Sequence, residues 1–357
     1  MQVETVQGCG PQSPWNGAEQ PLGASWRDIR RWGVAGTAAI AAAALAGGCS
    51  KSKSPTVPNS CEATGVELMA FASDRASAGQ FDVYLYDLQA GGYHLLQGLN
   101  SAAADSNPTV SADARLVAFT SNRNGSADLQ LYDRASCTYV DLSTINTAGN
   151  EVQPAFSYDG RYIVFARDTL GFRHVRILDG SITPPRYVPM AGVDLPNAND
   201  ASPVADQSAN VVAFVSDRHG SPDIFLYDHG ALREPIGLNT PGAEVDPALS
   251  PDGRWLAFAS DRDTVGGHAS FGIYVYDTQG DSLVPMPGLD TGSNERHPSF
   301  SRSNVSSANA PPSLIGFQSD RNAGNGWDVF VYTLAGHASV AVQPKAGDDV
   351  QPWLVWP

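Results

Sequence analysis

One phrase runs through this chain six times, and its fullest copy reads Ser250-Pro-Asp-Gly-Arg-Trp-Leu-Ala-Phe258-Ala-Ser-Asp261-Arg262. Each copy is an apolar run that ends at a phenylalanine and leads into a polar turn. The six phenylalanines are Phe71, Phe119, Phe165, Phe214, Phe258 and Phe317, separated by 48, 46, 49, 44 and 59 residues. A unit of this length matches one four-stranded blade, so the spacing predicts an all-β chain folded as a six-bladed β-propeller.

Each unit also carries the other strands of a blade. A proline such as Pro154 opens an inner strand, and a turn such as Asp252-Gly253 leads into the run that ends at the phenylalanine. Downstream, segments such as Ile224-Phe-Leu-Tyr227-Asp228 alternate with period two and are rich in aromatic and β-branched residues. That pattern predicts a third strand in each blade.

The two ends of the array predict how the ring closes. The first unit starts directly at a second strand, Gly65 to Phe71, and has no inner strand of its own. The chain ends with Asp349-Val-Gln-Pro352-Trp-Leu-Val355, which matches the inner strand of the other units. We therefore expect the C-terminal strand to complete the first blade and to remove an exposed sheet edge.

Composition narrows the class of partner. The chain has 35 glycines, 25 prolines and only 17% charged residues, which suits short strands and many turns. Its net charge is −15, and its only lysines are Lys51, Lys53 and Lys345. Nucleic-acid binding needs a basic face, so we expect no nucleic-acid partner and no contact of the ring with anionic lipid. We expect a monomer.

The first residues resemble an export signal. Arginines at 27, 30 and 31 precede an apolar run from Val34 to Gly48 that is shorter than the roughly 20 residues a spanning helix needs. The run ends in Leu45-Ala-Gly-Gly-Cys49, which resembles a lipoprotein lipobox with its leucine one position too far upstream. An ordinary secretory cleavage after Ala44-Leu45-Ala46, a twin-arginine route and a later start codon stay open.

This pattern divides the chain into three parts. Residues 1–48 are the predicted signal with an extended N-terminal region, 49–64 the lipid-attachment Cys49 with a flexible tether, and 65–357 the propeller. We then expect the protein to be anchored in a membrane of the cell envelope. The outer membrane is favoured, and the protein would face the periplasm or the exterior. Contact with the membrane would be through the lipid alone.

Two cysteines remain in the folded part, Cys61 and Cys137. Export would let them form a disulfide, which closes a long loop and contributes on the order of 4 kcal/mol if it is unstrained. The alternative is two free thiols.

A carboxylate stands three residues before every inner-strand proline. The six are Asp105, Glu151, Asp200, Glu244, Glu295 and Asp349. Inner strands line the axial channel, so these acids are candidates for binding at its mouth, either of a basic segment of a partner or of a divalent cation such as calcium. No cofactor is otherwise expected.

The second explanation for these acids is structural. The second strand of a blade runs antiparallel to the first, so the turn after it lies beside the acids and brings five arginines to them: Arg75, Arg123, Arg218, Arg262 and Arg321. Unpaired carboxylates would repel one another, which favours ion pairing over metal binding. If these pairs are exposed, each contributes only about 0.2 to 1 kcal/mol. The third unit departs from the pattern, with Arg167-Asp168 in place of Asp-Arg.

A search for catalytic motifs finds no nucleophile elbow, no zinc-binding His-Glu-x-x-His, no phosphate loop and no Cys-x-x-Cys. The seven histidines are scattered singly, and only His297 is expected near the axis. We therefore expect no enzyme activity.

The repeats resemble the WD40-like repeat of the TolB propeller superfamily over roughly residues 65 to 357. The resemblance implies the propeller fold, but here only a short tether precedes the ring where TolB has an α/β domain, so the contact surface of TolB does not transfer residue by residue. We expect a non-catalytic binding or scaffold module of the bacterial cell envelope that engages a protein or peptide at the channel mouth or rim. The alternatives are a carbohydrate-active or metal-dependent lyase-like enzyme and a purely structural surface lipoprotein.

Overall fold

The structure, a computed structural model, describes residues 68–88, 91–94, 96–182, 185–263, 270–301, 312–322, 326–342 and 348–355. These residues form six antiparallel sheets of four strands each. The inner strands of successive sheets contact one another around a closed ring. The prediction of an all-β, six-bladed propeller is confirmed.

The strands are numbered in chain order, and each blade contributes one strand to each of four layers. The innermost strands are β4 (Asp105–Val110), β8 (Glu151–Phe156), β12 (Asp200–Ala205), β16 (Glu244–Leu249), β20 (Glu295–Phe300) and β24 (Asp349–Val355). The second strands are β1 (Leu68–Ser73), β5 (Leu116–Ser121), β9 (Tyr162–Thr169), β13 (Val211–Ser216), β17 (Trp255–Ser260) and β21 (Leu314–Ser319).

The two outer layers follow the same order. The third strands are β2 (Asp82–Asp87), β6 (Asp128–Asp133), β10 (Phe172–Asp179), β14 (Asp223–Asp228), β18 (Gly272–Asp277) and β22 (Asp328–Thr333). The fourth strands are β3 (Gly92–His94), β7 (Thr138–Tyr139), β11 (Arg186–Val188), β15 (Ala231–Arg233), β19 (Ser282–Val284) and β23 (Ala338–Ala341).

The second strands form the core of each blade. Most of their residues are buried, because both sheet faces pack against neighbouring blades, and this explains their continuous apolar sequence. The phenylalanine that ends each repeat phrase is at most 2% exposed in all six blades. The fourth strands are short and largely exposed, which limits the open edge at the outside of the ring.

Both ends of the described chain build the first blade. Strand β24 pairs with β1, and the sheet order is β24-β1-β2-β3. The Ser73 hydroxyl donates to Asp349 at 2.6 Å, and Asp348 donates its amide to Asp74 at 2.8 Å. The predicted closure by the C-terminal strand is confirmed.

Every inner strand carries a β-bulge in front of its proline. In β4, for example, the register with β5 shifts between Ser106 and Thr109, so the inner strand holds one extra residue. The residue directly before the proline is left-handed in all six blades, with φ between 48° and 56°. Its side chain is turned toward the ring axis as a result.

Several sequence predictions concern residues outside the described ranges. The signal segment, the tether, Cys49 and Cys61 all lie there, so the boundaries at 48 and 64 and the lipid anchor stay predictions. Cys137 is disulfide-bonded, and its predicted pairing with Cys61 also stays a prediction. Within the described residues, no helix has the length and hydropathy needed to cross a membrane.

Candidate functional site

The six inner-strand acids lie at one end of the ring, which we call the mouth face: the end at which inner strands begin and second strands finish. Each acid is at most 1% exposed. Hydrogen bonds hold the acids in place; Glu244, for example, accepts from the Thr240 amide at 2.9 Å and from the Ser260 hydroxyl at 2.8 Å. The six acids are therefore buried inside the blades and are not exposed to solvent.

An arginine of the same blade pairs with each of these acids. The N–O distances are between 2.6 and 3.3 Å, in the pairs Arg75–Asp349, Arg123–Asp105, Arg167–Glu151, Arg218–Asp200, Arg262–Glu244 and Arg321–Glu295. This geometry supports the structural explanation for the acids. Their role in binding a partner or a cation stays a prediction.

The environment of Arg218 shows why the repeat phrase has its form. Its Nε donates to the Ser216 hydroxyl at 2.8 Å, and its guanidinium lies 4.4 Å from the ring centroid of Phe225. The Arg218 side chain is 6% exposed and Asp200 is fully buried. The estimate of 0.2 to 1 kcal/mol assumed exposed pairs, which is wrong here, because breaking a buried pair by removing one partner costs about 3 to 5 kcal/mol.

The third blade keeps the ion pair by a different route. Arg167 stands at the position of the repeat serine, and its Nε lies 3.3 Å from the Glu151 carboxylate. The following Asp168 pairs with Arg173 on β10 at 2.7 Å. In the sequence this blade departs from the pattern, and Arg167 was not predicted as the sixth pairing arginine.

A second row of acids increases the negative potential of the mouth face. Asp82, Asp223 and Asp328 open third strands opposite the repeat serines. Burial raises the pKa of all three carboxyls, and the neighbouring inner-strand acid of the next blade raises each pKa further.

A pocket of about 90 Å³ opens at the axis of the ring. The bulged residues form its rim, and all six are polar: Asn107, Gln153, Ser202, Asp246, His297 and Gln351. The six prolines that follow them form the wall below. We call these six residues the polar ring.

Trp353 forms the floor of this pocket. The residues that follow the inner-strand prolines are small in five blades, namely Thr109, Ala155, Val204, Ala248 and Ser299. In the first blade the same position holds Trp353, which reaches across the axis and packs against the apolar clusters of several blades. A much smaller cavity of about 10 Å³ also borders Trp353, so the Trp353 side chain separates the two and makes the pocket blind.

The ionisable part of the polar ring lies on blades five and six. Arg296 donates to Asp246 at 2.6 Å, and His297 Nδ1 lies 3.4 Å from the other carboxylate oxygen. Burial alone would raise the pKa of the Asp246 carboxyl, but His297 and Arg296 outweigh it and hold the pKa below its ordinary value. Burial lowers the pKa of the His297 imidazole, and Arg296 acts in the same direction against Asp246.

His297 lies near the axis, as expected, whereas the sequence analysis missed the rest of the polar ring. A signal was present, because a polar residue precedes the inner-strand proline in every repeat. Reading strands by strict alternation hid it, since a bulge shifts the side chain toward the axis. Among the described residues, no group of three or more histidines, cysteines, aspartates or glutamates is arranged to hold a metal ion.

Solved structures with the same fold include TolB from Acinetobacter baumannii, at 18% identity and a TM-score of 0.61 over 81% of this chain and 66% of that one. A candidate TolB from Agrobacterium tumefaciens matches at 18% identity and a TM-score of 0.53, over 79% of this chain and 90% of that one. This chain has the TolB-like propeller fold.

Solved structures of proteins with other names also match this fold. An oligogalacturonate lyase solved with manganese matches at 14% identity and a TM-score of 0.50, over 78% of this chain and 74% of that one. Such identities establish the fold alone. This chain also spans just under two thirds of the A. baumannii protein. No protein-family pattern matches the chain, and no curated protein matches it significantly.

Proposed function

We propose that this TolB-like propeller is a non-catalytic binding or scaffold module that engages a protein or peptide partner at its mouth face. The observation that carries the proposal is the blind axial pocket. A concave site with apolar walls and a few convergent polar groups is the usual form of a binding site. Six residues with a left-handed backbone conformation surround the rim of the pocket. They support the proposal of a binding site, because such backbone strain clusters at functional sites.

Charge favours a basic segment in the partner. The repeat positions of the mouth face hold fifteen carboxylates, at residues 74, 82, 105, 128, 151, 168, 200, 217, 223, 244, 261, 295, 320, 328 and 349, against seven arginines, at residues 75, 123, 167, 173, 218, 262 and 321. Lysine or arginine side chains of a partner would be attracted to this rim. The opposite end of the ring, which we call the back face, is where inner strands end, and it is acidic too, with Asp113, Asp159 and Asp252 in its turns. Charge alone therefore does not favour one face; the pocket favours the mouth face.

The cellular setting follows from the N-terminal sequence. The protein is exported, carries a lipid on Cys49 and works as a monomer in the bacterial cell envelope, tethered to a membrane by residues 49–64. What supports this is the short apolar run and the lipobox-like residues that end at Cys49.

The test compares two triple variants with the same change in net charge. Asp217→Asn, Asp261→Asn and Asp320→Asn neutralise the mouth face, while Asp113→Asn, Asp159→Asn and Asp252→Asn neutralise turns on the back face. Partners are captured by crosslinking in cell envelopes and pulled down with tagged protein. We expect a specific partner that is lost with the mouth-face variant and kept with the back-face variant. A partner lost equally with both, or no partner with the unaltered protein, would overturn the proposal.

A further inference from the structure

The polar ring has fixed hydrogen-bond directions, because backbone amides set the orientation of two of its carboxamides. The Asn107 amide donates to Gln351 Oε1 at 2.8 Å, and the Ser202 amide donates to Gln153 Oε1 at 2.9 Å. A backbone N–H can only donate, so the atom that faces it in each glutamine must be the oxygen. The NH₂ groups of both glutamines therefore point away from these amides.

These constraints leave donors on one side of the pocket. Gln153 Nε2 donates to the Ser202 hydroxyl oxygen at 3.1 Å, which leaves the hydroxyl proton free for another acceptor. The Ser106 hydroxyl donates to Asn107 Oδ1 at 3.4 Å, and the NH₂ groups of Gln351 and Asn107 make no hydrogen bond to any other described residue. Blades one to four thus present N–H and O–H donors at the rim of the pocket.

The acceptors lie on the opposite side. In blades five and six, Asp246 offers carboxylate oxygens, and His297 Nδ1 faces one of them. With its proton on Nδ1 toward Asp246, the neutral imidazole keeps a lone pair on Nε2. The ring is therefore polarised across the axis, with donors on four consecutive blades and acceptors on the other two.

The lining of the pocket is close to neutral, so it does not favour a charged ligand. Asp246 is balanced by Arg296 at 2.6 Å, and no lysine or arginine is among the residues that line the pocket in the described part of the chain. Burying an unpaired carboxylate or ammonium here would be costly. A neutral group that has an acceptor on one side and a donor on the other matches this arrangement.

We propose that the axial pocket binds an uncharged carboxamide, the side chain of an asparagine or glutamine in the partner segment. This rests on the proposed function, since it specifies which part of a peptide partner enters the pocket. The C=O of the carboxamide accepts from Gln351, Asn107 and Ser202, and its NH₂ donates to Asp246 and His297. The methylene groups of the side chain contact the prolines and Trp353. A sugar ring, with hydroxyls that donate and accept in all directions, matches a polarised ring less well.

The test uses three capped peptides, acetyl-Lys-Gly-X-Gly-Lys-amide, with X as glutamine, glutamate or leucine, titrated by calorimetry into the folded protein. We expect the glutamine peptide to bind about tenfold more tightly than the other two, the equivalent of roughly one hydrogen bond at about 1.4 kcal/mol. Equal binding of all three, or tighter binding of the glutamate peptide, would overturn the assignment. N-Acetylglucosamine is a further probe, and its binding without binding of the glutamine peptide would also overturn it.

Two variants place the effect in the pocket. Gln351→Glu keeps the oxygen that accepts the Asn107 amide but removes the NH₂ donor, and we expect about a tenfold loss for the glutamine peptide. Gln279→Glu adds the same charge on the exposed back face and should change nothing. If Gln351→Glu lowers the unfolding temperature, Ser202→Ala replaces it. An unchanged affinity in the folded pocket variant would contradict the inference.

The outcome is separable from that of the proposed function. If envelope crosslinking still captures a partner that the mouth-face aspartates control, while the peptides show no preference, the carboxamide inference fails and the binding module stands. If capture fails while the glutamine peptide is preferred, the pocket chemistry stands and the partner proposal fails.

Discussion

The buried ion pair between Arg218 and Asp200 gives the sharpest stability prediction. The substitution Arg218→Met keeps an apolar stem beside Phe225 and removes the charge that faces Asp200 at 3.0 Å. Asp200 Oδ2 has no hydrogen-bond partner among the described residues and lies 3.8 Å from His174 Nδ1, so the hydrogen-bonded contact of Oδ1 with Arg218 provides the main compensation. The variant therefore leaves a buried carboxylate without its arginine partner, which costs about 3 to 5 kcal/mol.

Urea unfolding followed by circular dichroism measures this cost, and Arg115→Met is the matched control. Arg115 pairs with Asp133 at 2.7 Å, but its side chain is 54% exposed, so solvent screens the pair and we expect a much smaller loss than for Arg218→Met. The double variant Arg218→Met with Asp200→Asn carries no buried charge and should be more stable than Arg218→Met alone. Equal losses for the two single arginine variants would refute the argument from burial.

Four further predictions concern other parts of the ring. Trp353→Ala should join the two axial cavities into one deeper pocket in a crystal structure and cost about 3 kcal/mol in urea unfolding; an unchanged floor would show that Trp353 does not separate them. Arg161→Met should raise the pKa of Asp179 from about 2 toward its ordinary value, seen by NMR titration. Because the folded-state pKa of Asp179 is depressed, its ion pair stabilises the native protein above about pH 4 and is lost as the pH falls toward 2, so the variant should show a weaker pH dependence in that range. Leu170→Asn should stabilise the protein by about 0.5 to 1 kcal/mol in thermal unfolding, because Leu170 is 97% exposed with φ of 54° in a turn that favours asparagine. Digestion without reductant should yield one peptide that links Cys61 to Cys137, and its absence would refute the predicted disulfide pairing.

The sequence predicted the ring because the repeat phrase is tied to blade geometry. The phenylalanine, the serine and the arginine of five copies lie in one packed unit: the arginine covers the phenylalanine and bonds the serine, as in Arg262 over Phe258 at 5.0 Å with Nε 3.1 Å from Ser260. A motif that holds a blade together recurs wherever a blade recurs. The number of copies and their spacing therefore predict the number of blades and the length of each.

The candidate site was harder to predict, because it depends on backbone conformation. Regular inner strands would place Glu151 and its five counterparts at the channel mouth, as predicted from the sequence. The structure buries them in the blades, and the bulge two residues later brings residues such as Gln153 to the axis instead. A left-handed residue before a proline is uncommon, since proline favours an extended neighbour. No periodicity in the sequence indicates it.

The composition of the first blade has a consequence for how the protein is made. Three of its strands, β1 to β3, are synthesised first, while β24 is synthesised last. Until residues 349–355 emerge, the inner edge of β1 has no partner, and its apolar residues are open to other chains. The ion pair of Arg75 with Asp349 likewise cannot form until Asp349 has been synthesised. A chain cut short before Asp349 cannot close the ring, so pairing of β24 with β1 distinguishes a finished propeller from a truncated one.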